Sequence, residues 1–248
     1  MQQLLKKCIF RGSLYDIRMT PPLFSAEKRI TLLRLAALSL LSGGCSAPQK
    51  QSLSTTTLAQ GARSVRGEVK IDAQPLQKGA SIPDGAIITT GPKSKTIFVR
   101  GTNGYLLREN SQLQFLHTES GTLEANLTRG ALLSVFAPGR VTIRTPIAHV
   151  GIRGTGCYVE AHPQKSYICL CYGEGDIFSS TTGELLMPVK TIHHDSPFNI
   201  YPSGELMEPM PAINHTDAEL ILLESLVGRQ PDFVNTGYKN SYRSGDQW

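Results

Sequence analysis

Cys157, Cys169, Cys171 and the triplet His193-His194-Asp195 carry the most reactive side chains in the body of the chain. Cys169 and Cys171 stand two residues apart in the β-prone run Tyr167 to Tyr172, so a strand would place both thiols on one face. Thiols so placed are poorly disposed to bond each other but well placed to hold a soft metal. His193 or His194 would complete a Cys/His set, since zinc, copper and iron accept such ligands. Adjacent histidines on an extended segment point opposite ways, so at most one joins easily. The structural alternative is that the cysteines are buried or disulfide-bonded and the histidines solvated. Register decides part of this. If His162 to Lys165 is a four-residue hairpin loop, Ala161 faces Ser166, Cys157 faces Leu170, and Cys169 and Cys171 point to the other side. A loop one residue longer or shorter would allow a disulfide from Cys157 to Cys169 or Cys171. No cofactor other than such a metal or a haem is expected.

Catalysis finds no foothold in the motifs. There is no Gly-x-Ser-x-Gly elbow, Walker loop or His-Glu-x-x-His, and Gly151 to Gly156 lacks the following helix of a dinucleotide fingerprint. The chain is therefore expected not to be an enzyme. Arg144 and Arg153 are expected to bond loop carbonyls, the alternative being a grip on an anionic ligand such as a carboxylate.

The elements that must position these residues are strands. Val65 to Ile71, Ala86 to Thr90, Thr96 to Arg100, Gly104 to Arg108, Gln112 to Leu116, Thr122 to Leu127, Ala131 to Ala137 and Arg140 to Thr145 alternate, or are β-rich, between good turn residues. Thr102-Asn103-Gly104 is the strongest hairpin signal, because Asn-Gly supplies the positive φ of a type I′ turn. Pro146, with no N–H, must end the strand that begins at Arg140. Pro197, Pro202 and Pro209 keep the next region extended, and Thr216-Asp217-Ala218-Glu219 then forms a capping box. Leu220, Leu223, Leu226 and Val227 share one face of the helix it starts, and Gly228 and Pro231 stop it. Such a short helix must dock on something, and the sheet is the expected site.

Upstream, Ile30 to Leu41 is a short apolar run after Lys28-Arg29, too short to span a bilayer and of secretory type. It ends in Leu-Ser-Gly-Gly-Cys45, which resembles the lipobox of bacterial lipoproteins; Ser42 and Arg34 depart from the usual pattern. That resemblance implies a lipid anchor on Cys45 and, with Ser46 rather than Asp next, delivery to the periplasmic face of the outer membrane. Translation is expected to start at Met19. Residues 1–45 carry seven Lys or Arg and two Asp or Glu, which accounts for the whole formal charge of +5. The rest is neutral, so the basic balance does not argue for nucleic acid.

The segment Thr145-Pro146-Ile147-Ala148-His149-Val150-Gly151-Ile152-Arg153-Gly154-Thr155, with Gly79 to Gly91 and Leu127 to Leu132, resembles the FecR-like domain. Thr145, Pro146, Gly151, Arg153, Gly154 and Thr155 carry the family motif. The resemblance covers roughly Gly61 to Phe178 and implies a periplasmic sensor-type domain that binds a protein partner or polymer of the envelope in signalling or envelope organisation. The cytoplasmic anti-sigma region usual in that family is not seen here, which puts the sigma-factor arm in doubt. The rival expectation is a metal- or haem-binding redox lipoprotein. The expected fold is all-β, an antiparallel sandwich or roll of short hairpins with one C-terminal amphipathic helix. The expected layout is a signal segment over 1–45, a linker over 46–60, the β domain over 61–180, extended segments packed on it over 181–212, the helix over 213–230 and a mobile tail over 231–248.

Overall fold

Short alternating runs separated by turn residues leave little choice but strands, and fifteen form among the described residues. The computed structural model describes residues 58–202 and 207–235; the expected signal segment, Cys45, most of the linker and residues 236–248 lie outside them. The strands are β1 (Gly61–Arg66), β2 (Val69–Ile71), β3 (Gln74–Pro75), β4 (Ile87–Thr90), β5 (Lys95–Arg100), β6 (Asn103–Leu107), β7 (Gln112–His117), β8 (Leu123–Val135), β9 (Val141–Arg144), β10 (Ala148–Ile152), β11 (Gly156–Ala161), β12 (Ser166–Ser179), β13 (Leu185–Thr191), β14 (Ser196–Ile200) and β15 (Met207–Pro209). A single α-helix among the described residues, α1 (Asp217–Leu226), follows, then a short 3-10 turn over Asp232–Asn235.

The strands form two faces of a sandwich. One, here the upper sheet, runs β1-β5-β6-β8-β11-β12-β14-β15. The lower sheet runs β3-β2-β4-β7-β8-β9-β10-β12-β13. The two long strands β8 and β12 belong to both, and each crosses at a glycine. Gly130 in β8 has φ +85° and Gly173 in β12 has φ +96°. A Cβ at Gly130 would run into Ser111, and one at Gly173 would lie 2.7 Å from Thr155 Cβ, so both corners need glycine for room as well as for φ.

The pairing is antiparallel with one exception. β9 lies parallel to β8, Leu123 opposite Val141 and Asn126 opposite Arg144, which corrects the expected all-antiparallel arrangement. A parallel neighbour needs a long crossover. Here the upper-sheet half of β8 and the loop after it supply that crossover.

The Asn103-Gly104 turn is also corrected. The hairpin forms, but Arg100 pairs with Asn103, so Gly101-Thr102 makes the turn and Asn103 and Gly104 open β6. Two contacts favour this register. Asn103 Oδ1 accepts the Ala137 N–H at 3.0 Å, and a Cβ on Gly104 would sit 3.0 Å from the Leu223 carbonyl. Pro146 ends β9 and the 162–165 loop sets Ala161 opposite Ser166 and Cys157 opposite Leu170, as expected, whereas the run Val65 to Ile71 divides between β1 and β2 and the runs Thr122 to Leu127 and Ala131 to Ala137 join in β8. The residues expected as extended segments are strands hydrogen-bonded into both sheets.

Two apolar clusters result. The larger fills the sandwich with Phe98, Tyr105, Leu113, Phe115, Leu127, Leu132, Ile143, Val150, Cys157, Ile168 and Ile177 among others. The second lies on the outer side of the upper sheet, where Val99, Leu106, Leu133, Val135, Tyr158, Tyr167, Cys169, Cys171 and Tyr172 meet Leu220, Leu223, Val227 and Phe233. Thr216 caps α1 by accepting the Glu219 N–H at 3.3 Å, and Glu219 reaches back to the Thr216 N–H at 3.1 Å, the predicted box. The expected mobile tail is corrected at its start, because Phe233 is buried against Tyr172. No helix among the described residues is long and apolar enough to cross a membrane.

The corner glycines give a test. Gly183 also has positive φ, +76°, but a Cβ there meets nothing within 4 Å. Gly183→Ala should cost about 1 kcal/mol from conformation alone, and Gly130→Ala at least about 2 kcal/mol more from the collision. Urea midpoints that move equally in the two variants would show that β8 does not depend on its corner glycine.

Candidate metal centre

The centre is assembled on the outer face of the upper sheet from three separate parts of the chain. β12 places Cys169 and Cys171 there, because Cys157, Ile168 and Leu170 face the sandwich interior instead. The turn between β13 and β14 brings His194, and the approach to α1 brings His215. Cys169, Cys171, His194 and His215 are all buried, and one donor atom from each lies within 4.8 Å of every other.

Each part is fixed independently. Asp195 Oδ2 accepts from Thr191 Oγ1, the Ile192 N–H and the His193 N–H at 3.0, 2.9 and 3.2 Å, which tightens the turn. His194 then takes φ +51° and donates its backbone N–H to the Cys171 carbonyl at 2.8 Å. That left-handed residue corrects the expectation for an extended His-His pair: both rings turn to one side, and Asp217 Oδ1 accepts from His193 Nε2 at 2.9 Å and His194 Nε2 at 3.0 Å. On the approach to α1, Tyr167 Oη donates to the Pro211 carbonyl at 2.9 Å and accepts the Ile213 N–H at 3.2 Å. Asn214 donates to Glu160 at 2.8 Å, and the His215 ring stacks on Tyr158 with centroids 4.5 Å apart.

Hydrogen bonds on the far side of each ring assign the near side. His194 Nε2 faces a carboxylate and His215 Nδ1 faces the Ile213 carbonyl at 2.6 Å, so both of these nitrogens carry protons. The remaining nitrogens, His194 Nδ1 and His215 Nε2, lie 3.1 Å apart, with Cys169 Sγ 3.5 Å from His194 Nδ1, a geometry that a shared proton or a bound cation satisfies. Zinc, with Zn–N about 2.0–2.1 Å and Zn–S about 2.3 Å, has tetrahedral edges of roughly 3.3 Å between nitrogens and 3.5 Å between nitrogen and sulfur. The observed separations are close to both. Asp217 and the Ile213 carbonyl accept the outer ring N–H groups, as carboxylates and carbonyls do for histidines that bind metals.

Without an ion a proton must serve. Burial alone would lower the His194 pKa, but the Asp217 and Cys169 hydrogen bonds raise it to about 9. Burial would likewise raise the Cys169 thiol, yet hydrogen bonds from Cys171, His194 and His215 pull it well below its ordinary range, while burial pushes Cys171 up.

Of the sequence candidates, Cys169, Cys171 and His194 come together. His193 does not join the thiols; it bonds Asp217 and packs on Phe233, ring centroids 4.7 Å apart. His215 and Asp217 were missed, although the sequence shows a histidine immediately before the capping box and an aspartate as its second residue. Cys157, Cys169 and Cys171 are free, which corrects the proposed disulfide: the four-residue loop sends Cys157 to the opposite face of the sheet. A haem does not fit, since donors in mutual contact leave no slot for a flat macrocycle.

The residues of the segment Thr145 to Thr155, expected to carry a FecR-like motif, build the corner beside β12. Thr145 Oγ1 donates to the Ala148 carbonyl at 2.7 Å and lies 2.6 Å from Ser166 Oγ, and Thr155 Oγ1 donates to the Gly156 carbonyl. Pro146 ends β9, Gly151 pairs with Asp176, and a Cβ on Gly154 would press on Pro138 at 3.0 Å. The two arginines bond carboxylates, not loop carbonyls: Arg144 meets Glu124 at 2.9 Å across the parallel β8–β9 pair, and Arg153 meets Asp176.

No protein-family model matches the chain, and no curated protein matches it. Two crystal structures of a "putative anti-sigma factor" from Parabacteroides distasonis ATCC 8503 are similar in part, with TM-scores of 0.43 and 0.45 and 10% identity. The matches cover 50% and 55% of this chain and 59% and 63% of theirs, so the chain spans less than two thirds of the length of those structures.

Glu160 gives a pH test outside the ligand set. Burial would raise its carboxyl pKa, but hydrogen bonds from Asn214, His162 and Tyr158 hold it below the ordinary 4.5. A depressed folded-state pKa adds stability that is present above the ordinary value and lost as pH falls through the folded one. The domain should therefore lose stability below about pH 4.5, and Glu160→Gln should flatten that part of a urea-midpoint-versus-pH curve. An unchanged slope would show that the Glu160 network does not hold the approach to α1.

Proposed function

We propose that this chain is a non-enzymatic, zinc-holding β domain of the bacterial envelope, of FecR-like type and anchored by lipid at Cys45. The observation that carries the metal reading is the convergence of Cys169, Cys171, His194 and His215, with two imidazole nitrogens 3.1 Å apart. A buried S2N2 donor set favours zinc over harder ions. Four protein donors close the coordination shell, whereas catalytic zinc keeps a position open for water or substrate. That closure supports a structural ion and a binding role.

The FecR-like part of the reading is supported by the motif segment from Thr145 to Thr155, whose residues sit where β9, β10 and β11 turn around β12. In this reading the domain presents its sheet edges and loops to a protein or polymer of the envelope, in signalling or envelope organisation. The lipobox-like ending at Cys45 supports placement on the periplasmic face of the outer membrane.

Two measurements check this. Protein purified without a metal-binding tag should contain about one zinc per chain, and Cys169→Ser or His215→Ala should lower that content at least about tenfold. Absence of stoichiometric transition metal in the folded wild type would refute the centre. Intact mass of membrane-extracted protein should show a diacylated or triacylated Cys45 as the N-terminus, and Cys45→Ala should release the domain from the membrane fraction. An unmodified cytosolic chain would refute the envelope placement while leaving the centre untouched.

A further inference from the structure

The centre lies where α1 docks on the outer face of the upper sheet, apart from the sandwich interior. All the buried residues of the sandwich interior come from Ala62 to Ile200, none from α1. The helix belongs to the second cluster, which also contains Cys169 and Cys171. Ten residues are too few for a stable helix in isolation. Its docking rests on Leu220, Leu223 and Val227, on the Arg108–Glu219 pair at 2.8 Å, and on the Tyr172–Glu224–Arg229 chain. The end nearest the centre rests on donors: His215 precedes the N-cap, and Asp217 is the first helical residue.

We propose, resting on the metal reading above, that the ion is a latch: bound zinc holds the approach to α1 and its first turn onto the upper sheet, and loss of zinc frees the helix while the sandwich stays folded. Asp217 is the positioning residue of this latch. Its carboxylate starts the helix, where negative charge is favoured, and holds the outer nitrogen of His194, so orientation of the ligand and docking of the helix depend on one group. When the ion leaves, the two imidazoles and two thiols lose their common partner, and the helix loses its fixed N-terminal end. Release would uncover Val99, Leu106, Leu133 and Tyr158, an apolar strip on a sheet that is otherwise complete.

Hydrogen exchange of the full chain, read by mass spectrometry with Zn2+ added and after chelation, tests this. With zinc, amides of residues 213–227 should be protected at least about tenfold more than without it, while β8, β11 and β12 keep their protection in both states. Asp217→Asn should require about 10–100-fold more zinc to reach the same protection, and Leu223→Ala should loosen the metal-free helix further without lowering zinc stoichiometry. If one zinc binds and protection of 213–227 does not change, the latch is wrong and the metal reading stands. If chelation exposes β8 and β11 as well, the ion holds the whole domain and the latch is again wrong. If no zinc binds to the folded chain, the metal reading fails and the latch falls with it.

Discussion

Over β11 and the first half of β12 the upper sheet has no wet face. Every residue from Gly156 to Ala161 and from Ser166 to Tyr172 is buried. One side of these strands packs into the sandwich, so something must cover the other, and a sheet buried on both faces cannot alternate apolar with polar. The run Gly-Cys-Tyr-Val-Glu-Ala shows how the chain meets that constraint. Its polar exception, Glu160, is satisfied by Tyr158, Asn214 and His162 rather than by water. The tyrosines of the outer face do the same: Tyr158 bonds Glu160, Tyr167 bonds the Pro211 carbonyl and Tyr172 bonds Glu224. Each lets a large apolar ring be buried while its hydroxyl ties down part of the cover.

The cover itself is weak in the ordinary terms of packing. Burying Leu220, Leu223 and Val227 is worth roughly 1.5–3 kcal/mol each before the cost of ordering the segment, and that cost is about 1–2 kcal/mol per residue for the backbone alone. Structural zinc in small peptide domains contributes an apparent 10–16 kcal/mol at neutral pH, so the proposed ion would add substantially to this packing. The chain concentrates its soft donors where cover is least able to hold itself. Four apolar side chains at those positions would have packed the same gap without fixing any orientation. Directional donors fix the entry of the helix, and the facing nitrogens are the sign that direction matters here.

How much of this the sequence shows depends on the range of the interaction. Local signals are legible: the Thr216–Glu219 box, the stop at Pro146 and the four-residue loop that sets Cys157 opposite Leu170 all follow from neighbours in the chain. Non-local choices are not. Asn103-Gly104 is the best turn dipeptide in the domain, yet Ala137 and the Leu223 carbonyl, both distant in sequence, draw it into a strand. Leu127 to Leu132 reads as an end and a beginning, because Gly130 looks like a turn; it is a corner inside one continuous strand. The parallel β8–β9 pair is hidden for the same reason, since only the fold over at Gly130 brings the far end of β8 back beside its start.

The centre follows that division. Cys169 and Cys171 are legible together because two residues on a strand share a face whatever the fold. His194 seemed to compete with His193, because side chains on an extended segment alternate. A single left-handed residue, held by three donations to Asp195 and one from His194 N–H to the Cys171 carbonyl, abolishes the alternation. His215 stands immediately before the N-cap, and its approach to Cys169 depends on where the helix docks. Docking in turn depends on the outer face of β12 being apolar, and that face is the one on which the two thiols stand. The donors and the apolar strip are thus one feature of one strand, and a chain that buried β12 on both sides had to bring its cap, its turn and its thiols to the same place.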